Sequence, residues 1–152
     1  MSTTELEAIV RELADKEAIR DLARRYADLV WQKRVAEVVD LFADDGVMDS
    51  GLEPPIVGRE ALLDAFERMI GGDADFQPFV HNHVVDLDGD RAGGRAYIDL
   101  RSTVDGQSMI GSGYYEDGYV RVGEQWKFQS RKVVLRFYVP LLQGWAETAD
   151  ES

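Results

Sequence analysis

The sequence predicts an α+β fold in which a curved, mostly antiparallel sheet wraps as a cone-shaped half-barrel around N-terminal helices. Three observations carry this. Apolar residues recur at helical spacing through residues 5–70. From Phe79 onward the pattern changes to long strand-like runs separated by short glycine turns. The helical and strand-like regions are segregated, which argues against alternating βαβ units.

Each element has a local cause. Thr4 and Glu7 have the spacing of a capping box ahead of an apolar-periodic run. Leu6, Ile9, Val10 and Leu13 define one face of a helix over 5–13. Ile19, Leu22, Ala23, Tyr26, Leu29 and Val30 define the inward stripe of a second over 15–32. No Gly or Pro separates the two, so they can run as one. A short helix over 34–43 uses Val35, Val38, Val39 and Phe42, and Asp44-Asp45-Gly46 stops it. A strand follows at 47–50, then a loop at 51–58 containing two prolines. Residues 59–70 return to helix, with Ala61, Leu62, Ala65, Phe66 and Met69 inward and Gly71-Gly72 at the end. Strands are expected at 79–87, 94–104, 109–122 and 126–139, joined at Asp88-Gly89-Asp90, Asp105-Gly106 and Gly123-Glu124. Gly111, Gly113 and Gly118 mark bends or bulges in the third. Strands bent in this way leave a cavity at the wide end of a cone, a common place for a small ligand.

The 152 residues suggest one domain, placed at 1–146, with a polar tail over 147–152 expected to be disordered. There is no cysteine, which removes disulfides, thiolate metal sites and a cysteine nucleophile. Two histidines, two residues apart, argue against a histidine-rich metal site. Seventeen basic against 29 acidic residues give a formal charge of −12, which opposes nucleic acid and anionic membrane as partners. No apolar run approaches the ~20 residues of a membrane span. The polar start MSTTELEAIVREL does not read as a secretory signal. A soluble, cytoplasmic protein is expected.

The run AIRDLARRYADLVWQKR…VVDLFADDGV, then GREAL, NHVVDLDGDRA and GEQWKFQSRKV, resembles the SnoaL-like branch of the nuclear-transport-factor-two-like superfamily over roughly residues 10–140. The resemblance implies a deep pocket, assembly as a homodimer or homotrimer, and proton chemistry without a cofactor on small, mostly apolar molecules. Dehydratases, isomerases and cyclases share the shape, and so do non-catalytic subunits, so fold alone does not decide function.

Tyr26 matches the position where several relatives hydrogen-bond their substrate, and a phenol there can donate to a developing oxyanion. It could equally be a core tyrosine. Dehydratase-type relatives carry an aspartate five residues later, paired with a histidine four residues before an asparagine that matches Asn82. Those positions are Trp31 and Pro78 here, neither able to move a proton. Trp31 offers an apolar wall or plain packing.

His81 and His83 remain close by. Strict alternation puts them together on the face opposite Asn82, unless a bulge shifts the register. Imidazole is the natural base near neutral pH, and His81 is the first candidate for that role. Asp49 lies one residue from the position of the isomerase relatives' base. It is a second candidate if it faces inward, and a solvated carboxylate if it does not. Asp99 shares a face with Tyr97 and Arg101, either as a substrate contact or in an ion pair with Arg101. Arg131 alternates with Val133, Leu135 and Phe137 in an apolar row, where a charge must be paired, reach the rim or meet an anionic ligand. Phe137 belongs to an aromatic set with Tyr114, Tyr115, Tyr119, Tyr138 and Trp145. That set suits core packing, a subunit interface or a ring-containing substrate. Three readings follow: a cofactor-independent dehydratase, isomerase or cyclase; a ligand-binding module that has lost the dyad; or a structural subunit that uses the sheet's outer face for oligomerisation.

Overall fold

The computed structural model describes residues 1–146; the tail expected over 147–152 lies outside the described residues. The chain opens with one continuous helix, α1 (Thr3–Trp31), of 29 residues. The capping box is formed by Ser2 and Glu5, two residues earlier than the Thr4–Glu7 pair of equal spacing, and both of its reciprocal hydrogen bonds are 3.1 Å. At 1.5 Å per residue α1 is about 43 Å long, and only its second half is buried in the domain. Leu6, Ile9, Val10 and Leu13 are exposed; the buried residues are Ile19, Leu22, Ala23, Tyr26, Ala27 and Val30. Where the helix meets the domain, Asp15 accepts from Trp126 Nε1 at 3.1 Å and pairs with Arg121 at 2.7 Å.

Helix α2 (Val35–Asp40) is shorter than expected, because Phe42, Asp44, Asp45 and Gly46 belong to strand β1 (Phe42–Asp49). A short β2 (Ile56–Val57) closes the proline loop against β1, and α3 (Arg59–Ile70) matches its expected span. The long strands β3 (Asp75–Asp88) and β6 (Gln125–Pro140) run past their expected limits at both ends, while β4 (Arg91–Val104) and β5 (Gln107–Val122) start earlier and end where expected. They form a curved, unclosed six-stranded sheet in the order β2-β1-β6-β5-β4-β3. Only the β1–β6 pairing is parallel.

One face of the sheet supplies Met48, Val85, Ala96, Ile98, Tyr115, Tyr119, Trp126 and Phe128 to a single core with the buried faces of the three helices. Burying a large apolar side chain contributes about 1.5–3 kcal/mol, so this cluster is what holds the helices in the curve of the sheet.

Register shifts decide which side chains enter that core. In β3 the pairing slips between Val80 and His83. The β5–β6 ladder slips twice, between Ser112 and Gly113 and between Gly118 and Tyr119. Each slip adds a residue on one strand and reverses the alternation beyond it. The last slip lets Phe128 and Arg131, three apart in β6, both point inward.

Candidate functional site

The slip in β3 separates the two histidines. His83 pairs with the buried Ala96 and turns inward, where its Nε2 lies 2.7 Å from the Tyr119 hydroxyl. His81 turns to the other face, its Nε2 2.7 Å from Asp99. Strict alternation had placed both on one face; the bulge overturns that. The imidazole that reaches the interior is His83, and His81 is an exposed surface partner of Asp99.

From His83 a hydrogen-bonded chain crosses the sheet. Tyr119 donates to Asp117 at 2.8 Å. Arg131 donates to the same carboxylate from Nε at 2.9 Å and from Nη2 at 3.0 Å. Arg131 and Asp117 are 0% and 6% exposed, so this ion pair lies wholly inside the protein. The guanidinium is boxed by rings, 4.4 Å from the centroid of Tyr26, 3.7 Å from Tyr115 and 4.2 Å from Phe128. Burial alone would push the guanidinium pKa down; the charge and hydrogen bonds of Asp117 override this and hold it protonated. Burial raises the phenols of Tyr26, Tyr115 and Tyr119 above their ordinary value.

The chain also fixes a tautomer. Asp117, as a carboxylate, can only accept, so the single Tyr119 proton goes to it. The phenol oxygen then accepts from His83, which must carry its proton on Nε2. Nδ1 is left with a lone pair; it is buried and makes no hydrogen bond within the protein. Burial lowers the His83 pKa to about 4 against the pull of Asp117, and Arg131, Arg20 and Arg24 lower it further. At neutral pH the imidazole is therefore uncharged. A cavity of about 110 Å³ opens beside it, lined by Arg20, Arg24, Val80, His81 and His83.

The remaining candidates lie elsewhere. Tyr26 is 3% exposed, and Phe42, Phe66, Tyr115 and Phe128 meet it edge-on at centroid distances of 5.6–6.4 Å. It faces a packed interior, so the aromatic hollow expected in front of it, and a ring-sized substrate within that hollow, have no room there. Arg131 meets Asp117 rather than a ligand. Trp31 is 44% exposed, stands edge-on to Phe79 at 5.3 Å and donates from Nε1 to the Pro78 carbonyl at 2.7 Å. The two positions that resemble the family's base dyad thus do meet, but through a bond that carries no exchangeable proton to substrate.

Asp49 turns away from the buried Met48 and accepts from the Gly51 amide at 3.0 Å, holding a turn instead of facing the interior. Asp99 bonds His81 and Ser112, while Arg101 lies over the Phe79 ring, so the expected Asp99–Arg101 pair does not form. Burial would raise the Asp99 carboxyl, yet hydrogen bonds from Ser112 and His81 bring it below its usual value. Phe137 leaves the Arg131 row, because the slip at Ser112/Gly113 reverses its face, and it stacks on Trp145 at 4.9 Å. Among the described residues no group of three or more His, Asp or Glu is placed to hold a metal ion, and no helix is long and apolar enough to cross a membrane.

Sequence reasoning missed Asp117 and took Tyr119 only as one of an aromatic set. Their signal was present: Asp117 alternates with Tyr115 and Tyr119. An acid lost in an aromatic row beside a strand with an arginine in an apolar row is a pair waiting to be matched.

Solved structures share this architecture. A provisionally assigned scytalone dehydratase from Novosphingobium aromaticivorans is 22% identical with a TM-score of 0.78, covering 85% of this chain and 89% of that one. A type 2 hexachlorocyclohexane dehydrochlorinase is 18% identical with a TM-score of 0.81, covering 93% and 98%. A type 3 form of that enzyme from Novosphingobium barchaimii is 20% identical with a TM-score of 0.79, covering 87% and 93%. No curated protein matches the sequence at a significant level. The profile of the SnoaL-like domain matches residues 11–132, and by that match, on this fold, the chain belongs to the SnoaL-like domain family.

Proposed function

We propose that this chain is a cofactor-independent proton-transfer enzyme of dehydratase or isomerase type, with His83 as the proton-moving group. The observation that supports it is the Arg131–Asp117–Tyr119–His83 chain, which fixes the tautomer of a buried, uncharged imidazole with an unpartnered Nδ1, in a residue that also lines a cavity. In the forward step Nδ1 takes a proton from a substrate carbon: the C–H bond breaks and an N–H bond forms. In a dehydration the C–H electron pair becomes a C=C bond, and the departing hydroxide takes the proton back from Nδ1 to leave as water. In an isomerisation the existing double bond shifts and the proton returns to a different carbon. The Asp117 carboxylate, two bonds away through Tyr119, stabilises the imidazolium formed in between, a role that needs charge and orientation rather than proton transfer. The setting proposed is cytoplasmic, with the outer sheet face joining copies in a homodimer or homotrimer; a monomer mass by light scattering would remove that assembly.

A second reading, a non-catalytic ligand-binding module, is favoured by the Trp31–Pro78 bond at the dyad positions. Solvent exchange separates the two. The protein is incubated in D₂O with a panel of small hydroxy acids and unsaturated carbonyl compounds, and NMR follows deuterium entering carbon. The enzyme reading predicts exchange or turnover that falls about 10²–10⁴-fold in His83→Gln, the usual contribution of a positioned acid–base group. Undiminished exchange in that variant would remove His83 from the proposal, and binding without exchange would support the module.

A further inference from the structure

Chemistry around the His83 cavity narrows what can enter it. The chain is strongly acidic overall, 29 acidic residues against 17 basic, yet no carboxylate lines this cavity: its walls are Arg20, Arg24, Val80, His81 and His83. The two arginines differ. Arg24 is committed to Glu17 at 2.6 Å. Arg20, half-buried, uses only Nε, toward the His83 carbonyl at 3.4 Å, and has no acidic partner among the described residues. Its two Nη groups keep the planar fork that matches a carboxylate. The cavity therefore carries about one uncompensated positive charge and one apolar wall at Val80, with His83 in its lining and the unpartnered Nδ1 enclosed behind it. At about 110 Å³ it holds roughly four waters' worth of liquid volume.

We propose that this cavity binds the carboxylate end of a small monoanionic acid, with the Arg20 guanidinium as its anchor and His83 beside the adjoining carbon. The inference rests on the proton-transfer reading of His83 and names the substrate class for it. A single free guanidinium selects a monoanion over a phosphate dianion, which needs more donors than the cavity offers. Val80 accommodates the first carbons of the acid.

The arrangement also couples binding to basicity. The charged or titratable groups around His83 are Arg20 and Arg24 from α1, Asp117 and Tyr119 from β5, and Arg131 from β6; His81 shares the cavity lining while its imidazole turns away to Asp99, and the β4 partner is Ala96. Burial sets most of the imidazole's low proton affinity, and Arg20 and Arg24 lower it further. A carboxylate seated on Arg20 cancels that influence and raises it, so the base strengthens when a substrate of the right charge arrives.

The test uses sodium propionate at fixed ionic strength, with histidine side-chain and arginine Nε–H signals followed by NMR. Saturable shifts at Arg20 and His83, an upward move of the His83 pKa at saturation, and at least a tenfold loss of affinity in Arg20→Met are expected. Arg25→Met, whose side chain pairs with Asp21 away from the cavity, should bind as the parent does. No saturable response up to ~100 mM, equal affinity in Arg20→Met, or tighter binding of inorganic phosphate than propionate would overturn the assignment. A normal thermal transition in Arg20→Met keeps a lost response from being a folding defect. The two readings fail separately: propionate bound on Arg20 without any exchange at carbon would retain the acid site and sink the catalytic role of His83, and exchange on uncharged compounds alone would do the reverse.

Discussion

Replacing Asp117 by Asn is expected to cost about 3–5 kcal/mol, the penalty for leaving a buried charge without its counter-ion. The structure supports the upper part of that range. Arg131 is 0% exposed, and both of its hydrogen bonds go to this carboxylate. The ring faces of Tyr26, Tyr115 and Phe128 stay in place, but at about 0.5–2 kcal/mol each cation–π contact is too weak to substitute for the lost ion. With an unfolding entropy of about 2.1 cal/mol/K per residue, the loss corresponds to a fall of roughly 10–15 °C in melting temperature. Urea unfolding followed by tryptophan fluorescence and circular dichroism gives the free energy directly. The double replacement Asp117→Leu with Arg131→Met removes both charges. It should recover most of the loss, short of about 1 kcal/mol for the acceptor Tyr119 no longer has. A cost below about 1 kcal/mol for Asp117→Asn alone, with the m-value unchanged, would mean that the pair is not desolvated and that the chain leading to His83 is not rigidly held.

Tyr26→Phe should leave any activity within about twofold of the parent, because the ring is enclosed, whereas Tyr26→Ala should cost about 3–5 kcal/mol of stability; a large activity loss in the Phe variant, with the melting temperature kept, would restore the phenol to the chemistry. Trp31→Phe removes the bond to the Pro78 carbonyl and should cost about 0.5–1.5 kcal/mol, read from chemical unfolding, with no change in catalysis.

The architecture was legible because it follows from periodicity that runs over many residues. The switch from helical to strand spacing near Phe79, the glycine turns and the apolar stripe of α1 all survive in the structure. The site was legible only in part, because a single inserted residue reverses a strand's faces. Gly113 and Gly118 did announce trouble in β5, and both stand beside its register slips. A Cβ on Gly113 would lie 2.1 Å from the Val134 carbonyl oxygen, and one on Gly118 would lie 2.8 Å from Ser130 Oγ. At Gly113, where the neighbour is backbone, only glycine permits such close approach; at Gly118 the Ser130 hydroxyl could turn aside.

The sequence could not say which strand takes the extra residue. That choice sent Phe137 outward and Arg131 inward. The slip at His81-Asn82 carries no glycine or proline of its own, so alternation gave the wrong pairing for the two histidines. The apolar run Leu6, Ile9, Val10 and Leu13 reads like any buried stripe, yet it lies on the part of α1 that extends beyond the sheet. Periodicity tells which residues share a face, not whether anything covers it.

The central claim is that burial holds His83 neutral against the pull of Asp117, while the Asp117–Tyr119 hydrogen bonds keep its proton on Nε2 and leave a lone pair on Nδ1. Nitrogen-15 NMR of the histidine side chains over a pH titration tests this most directly. The account predicts an unprotonated Nδ1 and a protonated Nε2 at neutral pH, persisting until the pH falls to about 4, with the proton signal of Nε2 protected from solvent exchange. A His83 that carries its proton on Nδ1, or that is charged near pH 6.5, would contradict it.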